Sequence, residues 1–380
     1  MGDETPLRTR VRKFLDHQVI PAEHLLESDD VDTWAALRRR AMADGLWALP
    51  LPARHGGGGL DTADYLALAE DEGRSDFGPE ALGSSALLTV RMLAAHAHPD
   101  LNAALLPGLV SGASRAAYAM TEPGVPGSDP ATLRTSAIRE GDGWRITGRK
   151  WFTSGAGRAD YVLVVARTGD GGAREAFSIF AVPTTAAGFR VVRELDVLGA
   201  GGQYELSFDE VLVPASHLVG EAGAGLTLAG ERLALGRTLR ALRWVGQAQR
   251  AIELLVARAT ARRIGDTLLA DRQLVQQMIF DSELAVRSAR SLTDQAACLV
   301  AAGEPAQIEI ALAKVAAARA LGAAVDAAIQ VYGAEGLTAA SGLPRLLRVA
   351  RSARILDGSD EFHIGTTARR LIRGYPAASR

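Results

Sequence analysis

The chain of 380 residues has one cysteine, Cys298, so it can form no internal disulfide and no cluster of thiolate metal ligands. That scarcity fits an intracellular protein, and a cytoplasmic location is the expectation. Neither sign of charge prevails. There are 42 lysines and arginines against 44 aspartates and glutamates, for a formal net charge of -2, so no basic field invites nucleic acid. No apolar run approaches the roughly 20 residues that a membrane span needs. The N-terminal segment, acidic at Asp3 and Glu4 and then amphipathic, lacks the pattern of a secretory leader. His17, His24, His55, His96, His98, His217 and His363 show no metalloprotease-like pairing; His96 and His98 read as a helix end, and no metal site is expected. Nucleotide-binding glycine motifs are missing too. The stretch from Pro50 to Gly59 has four consecutive glycines but no following Lys-Ser/Thr and no GxGxxG spacing. It reads as a helix–helix connection, not a phosphate cradle.

What is present is apolar bulk in an ordered pattern. At 48% hydrophobic and 23% charged, the chain can bury a large core and divide into two or three domains. Three zones emerge: 1–115, 116–226 and 227–380. The first is Ala/Leu-rich and helical, with two Gly/Pro breaks. In the second the period changes. Tyr204-Glu205-Leu206-Ser207-Phe208-Asp209 alternates like a half-buried strand, and 161–165 and 177–182 are short β-rich runs. Asp142-Gly143 and Asp170-Gly171-Gly172 supply hairpin-type turns. The third zone returns to helix, with a stripe at Leu274, Met278, Ala285, Ala289, Leu292, Ala296 and Leu299. Gly303 and Pro305 separate two helices, Gly333 and Gly336 break the chain again, and Pro344 can open the last long helix. The expected fold is α+β and mostly α: an N-terminal helical domain, a middle antiparallel β domain and a C-terminal helical bundle.

Three motifs carry chemistry. In the run from Tyr118 to Asp129, which contains Met120-Thr121-Glu122-Pro123-Gly124, small residues let backbone N–H groups approach an anion and Thr121 offers a hydroxyl. The plainer reading is a loop joining helix to sheet. Trp151 and Thr153 stand at i and i+2, which on a strand places a broad ring and a hydroxyl on one face; as simple packing, Trp151 would be sheet core. Asp357-Gly358-Ser359-Asp360-Glu361 places a carboxylate beside a glycine late in the helical zone.

Together these motifs resemble the acyl-CoA dehydrogenase family, and the resemblance covers essentially the whole chain. Asp44-Gly45-Leu46-Trp47 and the segment from Tyr65 to Glu72 are similar to its N-terminal signature, and Gly246-Gln247-Ala248-Gln249-Arg250-Ala251 to its Gly-x-Ala-Gln-Arg-Ala helix. The resemblance implies FAD as cofactor, lying along Tyr118, Met120 and Thr121, with Ser128 near the pyrophosphate and the substrate's pantetheine arm. Gly127 belongs to the same loop; Trp151 would cover one flavin side and Thr153 reach toward N5. It also implies Arg237 at the substrate or its CoA end, and Arg262 crossing a dimer interface to the neighbour's FAD. Gln273, Gln330 and Gly333 match further cofactor contacts. Asp357 follows Gln330 by the 27 residues that the family pattern expects.

Most members carry glutamate where this chain has Asp357. The form Asp-Gly-Pro-Asp-Glu-Val-His marks a branch that keeps aspartate, and here it reads Asp357-Gly358-Ser359-Asp360-Glu361-Phe362-His363. The implied reaction is α,β-dehydrogenation of an acyl thioester, with Asp357 removing the α-proton and the β-hydride going to flavin N5. In the family the Asp357-equivalent backbone N–H and a flavin ribityl hydroxyl polarise the thioester carbonyl, and the resemblance implies Gly358 as a further substrate contact. Such a base works where the acyl chain has displaced water. Some relatives carry the base one residue before Arg237, but that position is Gly236. Departures occur at Arg262-Arg263-Ile264-Gly265, which lacks the family's aromatic, at Ala334 in place of a second glycine, and at Ser154-Gly155 where Asn-Gly is common. The expected partners are an acyl-CoA, an electron acceptor such as electron-transfer flavoprotein, and further copies of the chain in a homodimer or homotetramer. Three alternatives stay open: an acyl-carrier-protein dehydrogenase, a flavin oxidase or monooxygenase on the same fold, and a base-impaired partner subunit.

Overall fold

The computed structural model describes residues 5–170 and 175–375. The turn expected at Asp170-Gly171-Gly172 runs beyond the described residues at 171, and Asp3 and Glu4 lie outside them too.

Helices come first: α1 (Pro6–Phe14), α2 (Ile20–Glu27), α3 (Val31–Ala43), α4 (Thr62–Glu72), α5 (Gly78–Ala81), α6 (Leu87–His96) and α7 (Pro99–Ser111). Their starts follow sequence chemistry. Thr5, Asp30 and Asp61 cap α1, α3 and α4 by accepting a backbone N–H three residues on. His96 ends α6 and His98 caps α7, as expected. The strands are β1 (Ala116–Ala119), β2 (Ser136–Glu140), β3 (Gly143–Ser154), β4 (Tyr161–Arg167), β5 (Phe177–Pro183), β6 (Phe189–Val197), β7 (Ala200–Pro214) and β8 (Leu218–Val219). Then come α8 (Gly225–Ala261), a small hairpin β9 (Arg263–Ile264) and β10 (Thr267–Leu268), α9 (Gln273–Ala301), α10 (Gln307–Tyr332), α11 (Leu343–Ala353) and α12 (Asp360–Gly374).

The chain forms two compact units. One, from 25–60 and 80–233, holds the sheet, ordered β6-β7-β3-β2-β4-β5-β8, with β1 beside β4. The sheet is antiparallel except where β1 and one residue pair of β2 run parallel to β4. The strands read at 161–165, 177–182 and 204–209 all form. The β2–β3 turn is Gly141-Asp142, with Gly141 at φ 57°, one residue earlier than the sequence suggested. Val162, Val164, Phe180, Leu206 and Phe208 close the core of this unit.

The other unit, from 1–24, 61–79 and 234–380, packs α8 to α11 through an alanine-rich interior that includes Ala248, Ala289, Ala317, Ala324 and Ala350. Small side chains let helices approach closely, and glycine goes further. A Cβ on Gly246 would fall 2.0 Å from the carbonyl oxygen of Glu70, so α4 and α8 can pack only with glycine there. The stripe on α9 is partly as expected. Its buried line passes through Ser282, Val286, Ala289, Thr293 and Ala296, while Leu274 is exposed. Ser282 and Thr293 are tolerated there because their hydroxyls donate to Met278 O and Ala289 O. Pro344 opens not one long helix but the 11-residue α11, and the chain breaks before α12. Asp357 lies in that break.

Candidate active site

Two stretches hold the expected chemistry, each within its own unit. In the helical unit, Asp357 adopts a left-handed φ of 55° and Gly358 follows at 98°. A non-glycine residue there costs on the order of 1 kcal/mol or more, so the surroundings must hold it. They do so at several points. The Asp357 carbonyl accepts from Arg237 Nε at 2.8 Å and from His363 Nε2 at 3.1 Å, which makes Nε2 the protonated ring nitrogen. Its carboxylate lies 2.8 Å from Arg240 Nε. The far end of the loop is tied down at Asp360, fully buried at the start of α12. This carboxylate accepts from Lys314 Nζ at 3.2 Å and Arg354 Nε at 2.9 Å, while its N–H bonds Arg354 O at 3.0 Å. Ser359 caps the helix through Phe362 N. Burial lowers the pKa of both Arg237 and His363, with Arg237 and Lys314 adding to the effect on His363. The histidine therefore stays neutral near pH 7 and donates one proton to the Asp357 carbonyl.

In the sheet unit, the loop after β1 is built around a buried ion pair. Lys150 Nζ donates to Glu122 Oε1 and to Met120 O, each at 2.8 Å. The Glu122 carboxylate also accepts from Arg134 N at 2.6 Å and Thr135 N at 2.9 Å. Burial pulls the Lys150 ammonium down to about 8, against the pull of Glu122. The Glu122 pKa is lowered as well: its own burial opposes the charge, but Lys150 and the N–H donors outweigh it. The Glu122 shift favours the ionised carboxylate, while burial works against the Lys150 ammonium, which Glu122 and the Met120 carbonyl hold under the loop. Trp151 N donates to Thr121 O at 3.0 Å, which lays β3 against the Thr121 turn. Gly127 folds back so that an added Cβ would lie 3.6 Å from Thr121 Cγ2, and Ser128 beside it is exposed. Tyr118 stacks under the Arg232 guanidinium, 4.5 Å from its ring, and burial raises its hydroxyl to about 12.

The expectation that Trp151 and Thr153 share a face of a regular strand needs revision. Register with β7 shifts between Lys150 and Thr153, inserting one extra residue, and Phe152 takes a φ of 49°. This is a β-bulge, a device that re-aims side chains beside functional sites. Trp151 Nε1 and Thr153 Oγ1 are both buried and, among the described residues, lack a hydrogen-bond partner. Buried polar atoms are seldom left unpaired, so this pair is open to a polar ligand atom. With exposed backbone around Gly124, Gly127 and Ser128, the residues fit a flavin with its phosphates.

Arg262, Gln273, Gln330 and Gly333 lie in the helical unit and all four are exposed. Arg258, one turn before Arg262, donates to Tyr332 O at 3.5 Å and pairs with Glu335 at 2.8 Å. The end of α8 is thereby linked to the segment that carries Gln330 and Gly333. Sequence reasoning did not assign Lys150, Glu122, His363, Lys314 or Asp360. Glu122 and Lys150 flank the chosen motif residues, yet nothing in sequence pairs positions 28 apart.

A helical segment, a mainly antiparallel sheet and a helical bundle, in that order, are the architecture of an acyl-CoA dehydrogenase-like fold. Known proteins place the chain within it. Acyl-CoA dehydrogenase N-terminal, middle and C-terminal domain families match residues 2–113, 117–211 and 223–372. The protein named "Probable acyl-CoA dehydrogenase FadE2" of Mycobacterium tuberculosis (strain ATCC 25618 / H37Rv) is 35% identical over 385 residues, covering 95% of this chain and 93% of that protein. Acyl-CoA dehydrogenase family member 11 of Homo sapiens is 33% identical over 391 residues, 96% of this chain but 50% of its own length. The chain thus spans about half the length of the family member 11 relatives it matches. "Structure of a putative acyl-CoA dehydrogenase from Mycobacterium abscessus" superposes with a TM-score of 0.92 at 30% identity, covering 99% of both chains. The chain belongs to the acyl-CoA dehydrogenase family, whose cofactor is FAD. Among the described residues no helix is long and apolar enough to cross a membrane.

Proposed function

We propose that this chain catalyses the FAD-dependent α,β-dehydrogenation of an acyl-CoA, with Asp357 as the base that removes the α-proton. The observation that carries the reading is the Asp357 turn: a carboxylate in a left-handed backbone, its carbonyl gripped by Arg237 and His363. Tyr118, Met120, Thr121, Gly127, Ser128, Trp151 and Thr153 hold the cofactor, which supplies an acceptor for the β-hydride. Thr153 Oγ1 and Trp151 Nε1 are the unsatisfied polar atoms available to it. Ser128, Arg237 and Gly358 bind substrate. As the proton leaves Cα, the Asp357 carboxylate takes it up, and the N–H groups of the turn stabilise charge on the thioester oxygen.

Arg237, Arg240 and Arg243 bear on the choice of carrier. The first two are committed to Asp357, and Arg243 pairs with Glu72 and Tyr65. They form no free basic face for an acidic carrier protein, which favours CoA. Arg262, Gln273, Gln330 and Gly333, all exposed, serve the cofactor of a neighbouring copy in a homodimer or homotetramer. Three domains at 1–115, 116–226 and 227–380, reoxidation of the cofactor by electron-transfer flavoprotein and a cytoplasmic location complete the proposal.

Anaerobic bleaching of the flavin with a panel of acyl-CoAs tests the activity. Asp357→Asn keeps the shape and removes the basic group. It should retain FAD and bleach ~10²- to 10⁴-fold more slowly, the usual contribution of a general base. Undiminished bleaching in that variant rules out Asp357 as the base.

A further inference from the structure

Arg240 faces the Asp357 carboxylate directly, with Nε 2.8 Å from Oδ2. It sits three residues after Arg237 on α8, so the two arginines point from one face of the helix. Their tasks differ. Arg237 holds the Asp357 main chain through the carbonyl, and Arg240 addresses the side chain. The other charged groups around the turn have other partners: Lys314 and Arg354 bond Asp360, and His363 bonds the Asp357 carbonyl. Among the described residues, Arg240 is the one cation paired with this carboxylate.

We infer that Arg240 is a positioning residue for the α-proton base, fixing the direction in which the short Asp357 side chain presents its carboxylate. The inference rests on Asp357 being that base. Three observations support it. Aspartate is one methylene shorter than the family's glutamate, so its reach leaves little tolerance, and a misplacement of about 1 Å can cost roughly 10²-fold in rate. The left-handed backbone at φ 55° and the double grip on the carbonyl fix where the side chain starts, but not how it rotates. An arginine alongside supplies that missing restraint. Finally, the Asp357 side chain beside Arg240 stays partly exposed, so the carboxylate remains reachable by a proton. The side chains of Arg240 and Asp357 are 41% and 25% exposed, which makes the pair a minor factor in folding. Its effect should fall on geometry instead.

The test isolates proton removal from oxidation. In tert-butylacetyl-CoA the β-carbon carries no hydrogen, so no hydride can leave. The base can still take a proton from Cα and return a deuteron from D₂O, with no electrons transferred. Holoenzyme in D₂O should place deuterium at Cα, read by mass spectrometry, and Asp357→Asn should not. Arg240→Gln should slow the exchange about 10- to 100-fold. FAD content, melting temperature and the KM of an ordinary acyl-CoA should stay close to the parent, and Arg240→Lys should recover part of the rate. If Arg240→Gln exchanges as fast as the parent or faster, or loses rate only in proportion to lost FAD, the inference is overturned while the Asp357 assignment stands. A parent enzyme that neither exchanges this thioester nor bleaches with any acyl-CoA overturns both.

Discussion

The Thr121 loop and the Asp357 turn solve the same problem, holding an irregular backbone still, by opposite means. The Thr121 loop rests on a buried ion pair: Lys150 is fully enclosed and Glu122 accepts from two backbone N–H groups as well as from the ammonium. The Asp357 turn is held from outside its own backbone, by side chains of α8 and α12, and its carboxylate remains partly open. Under the roles proposed for them, a cofactor platform needs rigidity and can be built like a core. A base must exchange its proton, so it needs restraint that leaves the carboxylate reachable. The contrast predicts stability effects from the first region and rate effects from the second.

The largest effect should come from breaking the buried pair. Lys150→Met strands the Glu122 carboxylate and should cost about 3–5 kcal/mol, seen as a drop in melting temperature together with loss of bound FAD. An unaltered melting curve would dissolve the contrast. Acid should act on the same element. The folded pKa of Glu122 is depressed, so its contribution is complete above its ordinary value of 4.5 and is lost as pH falls through the lower folded value. Next in size, Asp357→Glu lengthens the proposed base within a turn that holds aspartate. FAD content and stability should hold while bleaching falls by roughly 10²-fold, still above the Asn variant.

A smaller effect is expected at His363. Burial lowers its folded pKa, so the unfolded chain binds more protons below the ordinary value of 6.5. Stability should therefore decline as pH drops from about 6.5 toward the folded pKa. His363→Gln, which can still donate to the Asp357 carbonyl, should flatten that part of the pH dependence; an unchanged slope would clear His363. The smallest belongs to an exposed pair of the sheet unit. Arg190 and Asp209 lie 3.7 Å apart with both side chains in solvent, and Arg190→Ala should leave melting and activity unaltered.

Sequence by itself determined the order of helix, sheet and bundle, because periodicities of 3.6 and 2 are written into consecutive residues. Met120-Thr121-Glu122-Pro123-Gly124 and Asp357-Gly358 are contiguous and therefore legible in sequence, and the family resemblance, not spacing by itself, set Asp357 against Gln330. Turn positions came close, with Gly141-Asp142 one residue from the reading. What sequence could not decide was everything that depends on distant residues meeting. The break that separates α11 from α12 is set by Asp360 finding Lys314, 46 residues away, and Arg354. The bulge at Trp151 arises from a register slip against β7 rather than from a local breaker. Leu274 keeps helical period but faces solvent because no neighbour in its unit covers it. Arg237, Arg240 and Arg243 looked like one charged face; in the fold two hold Asp357 and the third holds Glu72 and Tyr65. The physical reason is one: local pattern fixes which face of an element is apolar, whereas the partner of a charge is fixed only when the chain closes on itself.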